Sequence, residues 1–134
     1  MLTGALSVVG LYYFTVMIAV LMQRTDAVVA VVGSTPDETA EAFATLRAGC
    51  TEEFIKKASD ENLTAWLAAI REKHGSLISV GRTPTSLKSE LTYQINAKFV
   101  NGSAPIVFRL SQTSLTKILI DYIDVDGLAL GQSP

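Results

Sequence analysis

From Leu2 to Met22 the chain carries no charged side chain, and this run constrains the fold more than any other feature. Wound as a helix at 1.5 Å per residue, it would be about 32 Å long, close to the roughly 30 Å hydrocarbon core of a bilayer. Gln23-Arg24-Thr25-Asp26 then ends it abruptly. An Arg at mid-membrane costs roughly 2.5–3.5 kcal/mol on insertion scales, so a span must end at or before Arg24. The expectation is a transmembrane helix with its polar stop over residues 1–26. Val28 to Val32 is a second apolar run, too short to cross. Residues 27–34 are read as a juxtamembrane linker whose apolar run continues the helix past the interface or packs on the domain.

A cleavable signal peptide competes with this reading, but it needs a basic start, an apolar stretch of roughly 7–15 residues and a small-x-small cleavage site. Nothing basic precedes Leu2, the run is longer, and Val20-Leu21-Met22 is a poor cleavage context. A retained signal-anchor is therefore expected. The helix holds no His, Asp, Glu, Lys or Arg for a cofactor or an ion path. What it offers is packing. Thr3, Gly4, Ser7 and Gly10 share about a third of its circumference at 100° per residue, and small residues on one face admit another helix closely. Tyr12 and Tyr13 sit mid-span, where a lipid-facing hydroxyl would lack a partner. These six residues are the expected transmembrane interface; a plain anchor is the competing reading. Arg24 alone, by the positive-inside rule, would put the domain in the cytoplasm. A signal-anchor with its short N-terminus inside sends it to the outer (periplasmic or equivalent) face, which is the orientation preferred here.

The 11 basic and 13 acidic residues all fall at or after Arg24, for a net charge of −2. They alternate without a polybasic block, which argues against a nucleic-acid partner. One cysteine, Cys50, excludes an internal disulfide, and with a single histidine, His74, a zinc site is not credible. No cofactor is expected. Cys50 reads as a small half-buried residue beside a helix end.

Behind the leader, the first half of the chain has helical period. Thr35-Pro36-Asp37-Glu38 carries cap, first-turn proline and capping-box signals for a helix running to Gly49. Thr51 can cap a short helix with Phe54 and Ile55. Ser59 or Asp60 opens a third, with Leu63, Trp66, Leu67 and Ile70 at i, i+3, i+4 and i+7. Arg71, Lys73 and His74 fill its last turn, where cations suit the dipole, and His74 is expected on the surface. Alternation then takes over. Leu77 to Val80 reads as a short strand. Leu91, Tyr93, Ile95, Ala97 and Phe99 alternate with polar residues, and Asn101-Gly102 signals a hairpin. A second strand follows from Pro105 through Ile106, Phe108 and Leu110. A third spans Leu115 to Val125, with Ile118, Ile120 and Tyr122 on one face and Leu119 and Ile123 on the other. The expected fold is α+β: the transmembrane helix, then about three helices packed on a curved antiparallel sheet of three to four strands, over residues 35–134.

Three stretches resemble the nuclear-transport-factor-2-like and cystatin-like superfamily, in particular its small membrane-tethered bacterial branches of unknown function. Leu67-Ala68-Ala69-Ile70-Arg71-Glu72-Lys73-His74-Gly75-Ser76-Leu77 resembles the helix-to-glycine turn before the first strand. Tyr93 to Phe99 with Asn101-Gly102 resembles the central hairpin, and Lys117-Ile118-Leu119-Ile120-Asp121-Tyr122-Ile123 the final strand. The resemblance implies a cone-shaped fold hosting isomerases, dehydratases, ligand binders and non-catalytic subunits, so it does not give function. Enzymatic members use an Asp, His or Tyr inside the cone, which makes Tyr93, Asp121 and Tyr122 the candidate ligand-cavity residues, with His74 beside them. The residues themselves favour a blander reading, with Asp121, Asp124 and Asp126 as an acidic strand end facing solvent. Two functions are expected in order of preference. The first is a non-catalytic, single-pass accessory or assembly subunit of a larger membrane complex, docking on other membrane subunits by helix and domain. The second is a membrane-tethered domain that binds, or converts, a small apolar ligand in the cone.

Overall fold

A computed structural model describes residues 2–81, 84–87, 91–114 and 117–131, with side chains from Thr15 onward. The apolar leader and the segment expected to link it to the domain form one helix, α1 (Leu2–Val32). No proline interrupts it, and it stops where Gly33 and Ser34 turn back on Val29 and Val31 through backbone hydrogen bonds of 2.9 and 3.2 Å. Pro36 could not have continued it. Of residues 27–34, one face continues the helix into the domain's core, one of the outcomes expected for this run, while Ala30 and Gly33 stay exposed. Ala27, Val28, Val31 and Val32 are at most 7% exposed, and their spacing puts them on one helical stripe. The domain also reaches back toward the N-terminus: Met17, Val20 and Leu21 pack against its core, and Gln112 reaches the Met17 sulfur at 3.9 Å.

α2 (Thr39–Ala48), α3 (Glu52–Lys57) and α4 (Asp60–His74) follow. α2 starts three residues later than its proline predicts. Glu38 caps it without a side-chain bond, because Glu38 donates its N–H to the Thr35 carbonyl in a tight turn. The other two caps form as expected. Thr51 accepts from the Phe54 N–H and Ser59 from the Asn62 N–H, each at 3.2 Å. α4 ends at Gly75, held at φ 79° and ψ −166°, a region essentially reserved for glycine. A Cβ there would lie 2.9 Å from that of Val100.

The strands β1 (Leu77–Val80), β2 (Thr85–Ser86), β3 (Thr92–Phe99), β4 (Gly102–Gln112), β5 (Ile118–Val125) and β6 (Leu128–Ala129) form one antiparallel sheet in the order β1-β3-β4-β5-β6, with β2 also on β3. Six strands exceed the three to four expected, because β2 and β6 are two residues each and too short to show alternation. The β3–β4 turn is centred on Val100-Asn101, since Phe99 pairs with Gly102. Pro105 lies inside β4, next to the point where β5 ends at Val125, which pairs with Ile106. The start expected for β5 at Leu115 lies outside the described residues.

The facing of β5 differs from strict alternation. Arg109 pairs with Tyr122 and Leu110 with Ile120, leaving Asp121 as an extra residue, a β-bulge. Ile118, Ile120, Ile123 and Val125 all therefore point into the core at no more than 1% exposure. Tyr122, expected beside Ile120, is turned to the other face. The outer edge of β5 is covered at its start by the α2–α3 connection: Thr51 N–H donates to the Ile120 carbonyl and Ile120 N–H to that of Gly49.

Candidate functional site

The three residues expected around a cavity do not converge on one. Asp121, lifted outward by the bulge, takes the Arg109 Nε at 2.7 Å with both side chains partly in solvent. Arg109 also lies over the Tyr122 ring at 5.6 Å. Burial, then a hydrogen bond to Asp124, pushes the Tyr122 hydroxyl above its ordinary value, with Arg109 opposing. Tyr93 alone faces inward, half-buried and stacked on Phe108 at 5.8 Å. The core face of the sheet is packed: Ile95, Phe99, Ile106, Phe108, Ile120 and Ile123 are all at or below 1% exposure.

His74 is buried, contrary to its expected surface place. Its ring packs on Phe99 at 5.3 Å, because Gly75 folds the chain straight back into β1. Its Nε2 sits 3.5 Å from the Asp126 carboxylate without hydrogen-bonding it. Cys50 is fully buried rather than half-buried, and its thiol donates to the Leu46 carbonyl. Burial pushes that thiol up to about 12, although Arg24 and Arg47 pull it the other way. A thiol so far from ionisation is a poor nucleophile.

Three arginines are spent on backbone carbonyls between elements. Arg24 reaches Ile118, Arg47 reaches Ala58, and Arg71 reaches Ser34. Arg24 also lies against Gly49, where a Cβ would be 3.0 Å from its Cδ. The residue read as the polar stop of a span is thus also the clamp between α1 and the sheet. Trp66 does similar work, donating its indole N–H to the Leu128 carbonyl at 2.7 Å.

Among the described residues, a groove lies between α1, α2 and the β1 edge of the sheet. Gln23, Asp26, Ala27, Val29, Ala30 and Gly33 line it from α1. Glu38, Glu41, Ala42 and Thr45 form one wall and Leu77 and Ile78 the other, around a volume of about 680 Å³. Ile78 is 59% exposed there. The sequence held a signal for it: Leu77-Ile78 places two adjacent apolar residues on a short strand, so one must face outward. Thr3, Gly4, Ser7, Gly10, Tyr12 and Tyr13, the expected membrane interface, lie outside the residues whose side chains are described. Compared with known protein families, curated proteins and solved structures, the chain matches none.

Proposed function

We propose that this protein is a non-catalytic, single-pass accessory or assembly subunit of a larger membrane complex. The observation that carries this reading is the continuity of α1. Among the described residues one helix is long and apolar enough to span a membrane by length and composition, over Thr15–Val32, and one face of its last turns is part of the domain's core. A flexible tether would let the domain search. A helix shared between span and core holds it at one height and one rotation, which suits presenting a fixed face to a neighbouring subunit.

Because the domain packs on α1 from Met17 onward, its β4–β5 end would lie nearest the bilayer. The small residues Thr3, Gly4, Ser7 and Gly10, with Tyr12 and Tyr13, would face a neighbouring transmembrane helix. The domain would lie on the outer face, as for a signal-anchor. The site chemistry fits this reading: Asp121 is committed to Arg109, the Cys50 thiol is held un-ionised, and the sheet's core face is packed with buried side chains.

The test is gentle solubilisation of the protein with a C-terminal tag and identification of what is retained. A stoichiometric membrane protein is expected. Migration as a lone monomer in mild detergent would sink the proposal. Orientation is read separately, by protease accessibility of the tag in sealed vesicles.

A further inference from the structure

We infer that the groove between α1, α2 and β1 docks a helical segment of a partner membrane protein, apolar on one face and flanked by lysines or arginines. This rests on the accessory-subunit reading and names the chemistry of the partner.

Charge complementarity identifies the occupant. Asp26 on α1, Glu38 in the turn and Glu41 on α2 come from three places in the chain and line the same groove, and no Lys, Arg or His lines it among the described residues. None of the three has an ion pair among the described residues. All three are exposed along its rim, and a rim of one sign of charge favours a partner that brings the opposite sign. Among the described residues, Arg24, Arg47 and Arg71 are engaged elsewhere, on backbone carbonyls and, for Arg47, also on Asp60.

Shape selects a helix over an extended peptide. The floor is itself a helix surface on which the small Ala30 is exposed, and a small residue there lets a second helix axis approach closely. Ile78 supplies an apolar wall. β1 is a poor template for strand addition, since it is four residues long with an irregular register between Leu77 and Ser79. The groove's place along α1 fits a membrane partner. It begins at Gln23, where the apolar run ends, and extends about 15 Å to Gly33, the layer in which a neighbour's chain leaves the bilayer.

The test uses the full chain in phosphatidylcholine nanodiscs. The probe is a fluorescent synthetic helical peptide of about five turns with leucine and alanine on one face and lysine on the other. A second peptide has glutamate in place of lysine, and empty nanodiscs give the lipid background. Saturable binding of the lysine peptide, at least tenfold tighter than the glutamate peptide, is expected. The combined Asp26→Asn, Glu38→Gln, Glu41→Gln variant should weaken it at least tenfold, and Ala30→Trp, which fills the floor, should do the same without moving Tm. Equal affinity for both peptides, or unchanged binding by the carboxamide variant, overturns the inference; the former would mean that the groove takes any apolar chain. The two proposals fail separately. If the tagged carboxamide variant retains a membrane partner as fully as the wild type, the groove is not the dock and the accessory role stands. If the wild type retains nothing, the accessory role falls and the peptide titration still decides the groove.

Discussion

At the residue scale, Asp121 and Cys50 are chemically able side chains that the fold commits elsewhere, Asp121 to Arg109 and Cys50 to the Leu46 carbonyl. Asp121 is the clearest case. Its neighbours in sequence point both ways, and only the bulge decides that it turns outward to Arg109. A pair this exposed is worth less than about 1 kcal/mol, so Asp121→Ala should lower stability by no more than that in urea unfolding. A loss of several kcal/mol would mean that the carboxylate holds more than Arg109. Cys50 makes a sharper prediction. Its folded-state value of about 12 lies above the ordinary 9.0, so below pH 9 both folded and unfolded chains keep the proton. As pH rises from 9 toward 12 only the unfolded chain releases it, and stability falls by at most about 1.4 kcal/mol per pH unit. Unfolding midpoints measured from pH 8 to 10.5 should decline, and Cys50→Ala should flatten that decline. At pH 8 the thiol should react with iodoacetamide at least about 100-fold more slowly than in the unfolded chain.

At the scale of elements, α1 has two functions that composition alone does not separate. Leu2 to Met22 and Val28 to Val32 look alike as apolar text, interrupted by four polar residues. In the fold, Val28, Val31 and Val32 are core at 1%, 0% and 3% exposure. Burying a valine is worth about 1.5–3 kcal/mol, so three together rival the roughly 5–15 kcal/mol that holds a whole domain. A chain beginning at Thr35, the boundary that a linker at 27–34 implies, should therefore show no cooperative thermal transition. One beginning at Val16 should keep it. The strands were more legible. Alternation in β3 and β4 identified Ile95, Ala97, Phe99, Ile106, Phe108 and Leu110, all of which are buried. It failed in β5 because a bulge is a property of two strands in register, and one strand's sequence does not carry its partner's offset.

For the whole molecule, the shared helix means that rotation about the α1 axis couples span and domain. Inserting one leucine after Phe14 turns everything N-terminal to it by 100° relative to the domain, whereas four leucines restore it to within 40° at a cost of about 6 Å in height. If docking uses both parts, the single insertion should cut partner retention more than tenfold in the tagged pull-down. The four-residue insertion should retain a larger share, and neither should shift the domain's Tm. Equal retention by both would show that the helix and the domain do not dock as one body.

The sequence by itself determined the apolar helix, the helical first half and alternating second half of the domain, and most of the inward-facing residues, because each follows from local periodicity and caps. It did not show that α1 enters the core, that β5 carries a bulge, that His74 is buried, or that Asp26, Glu38 and Glu41 share one groove. Those depend on which surfaces meet, and burial is decided between elements far apart in the chain, by the apolar area each can remove from water against the other.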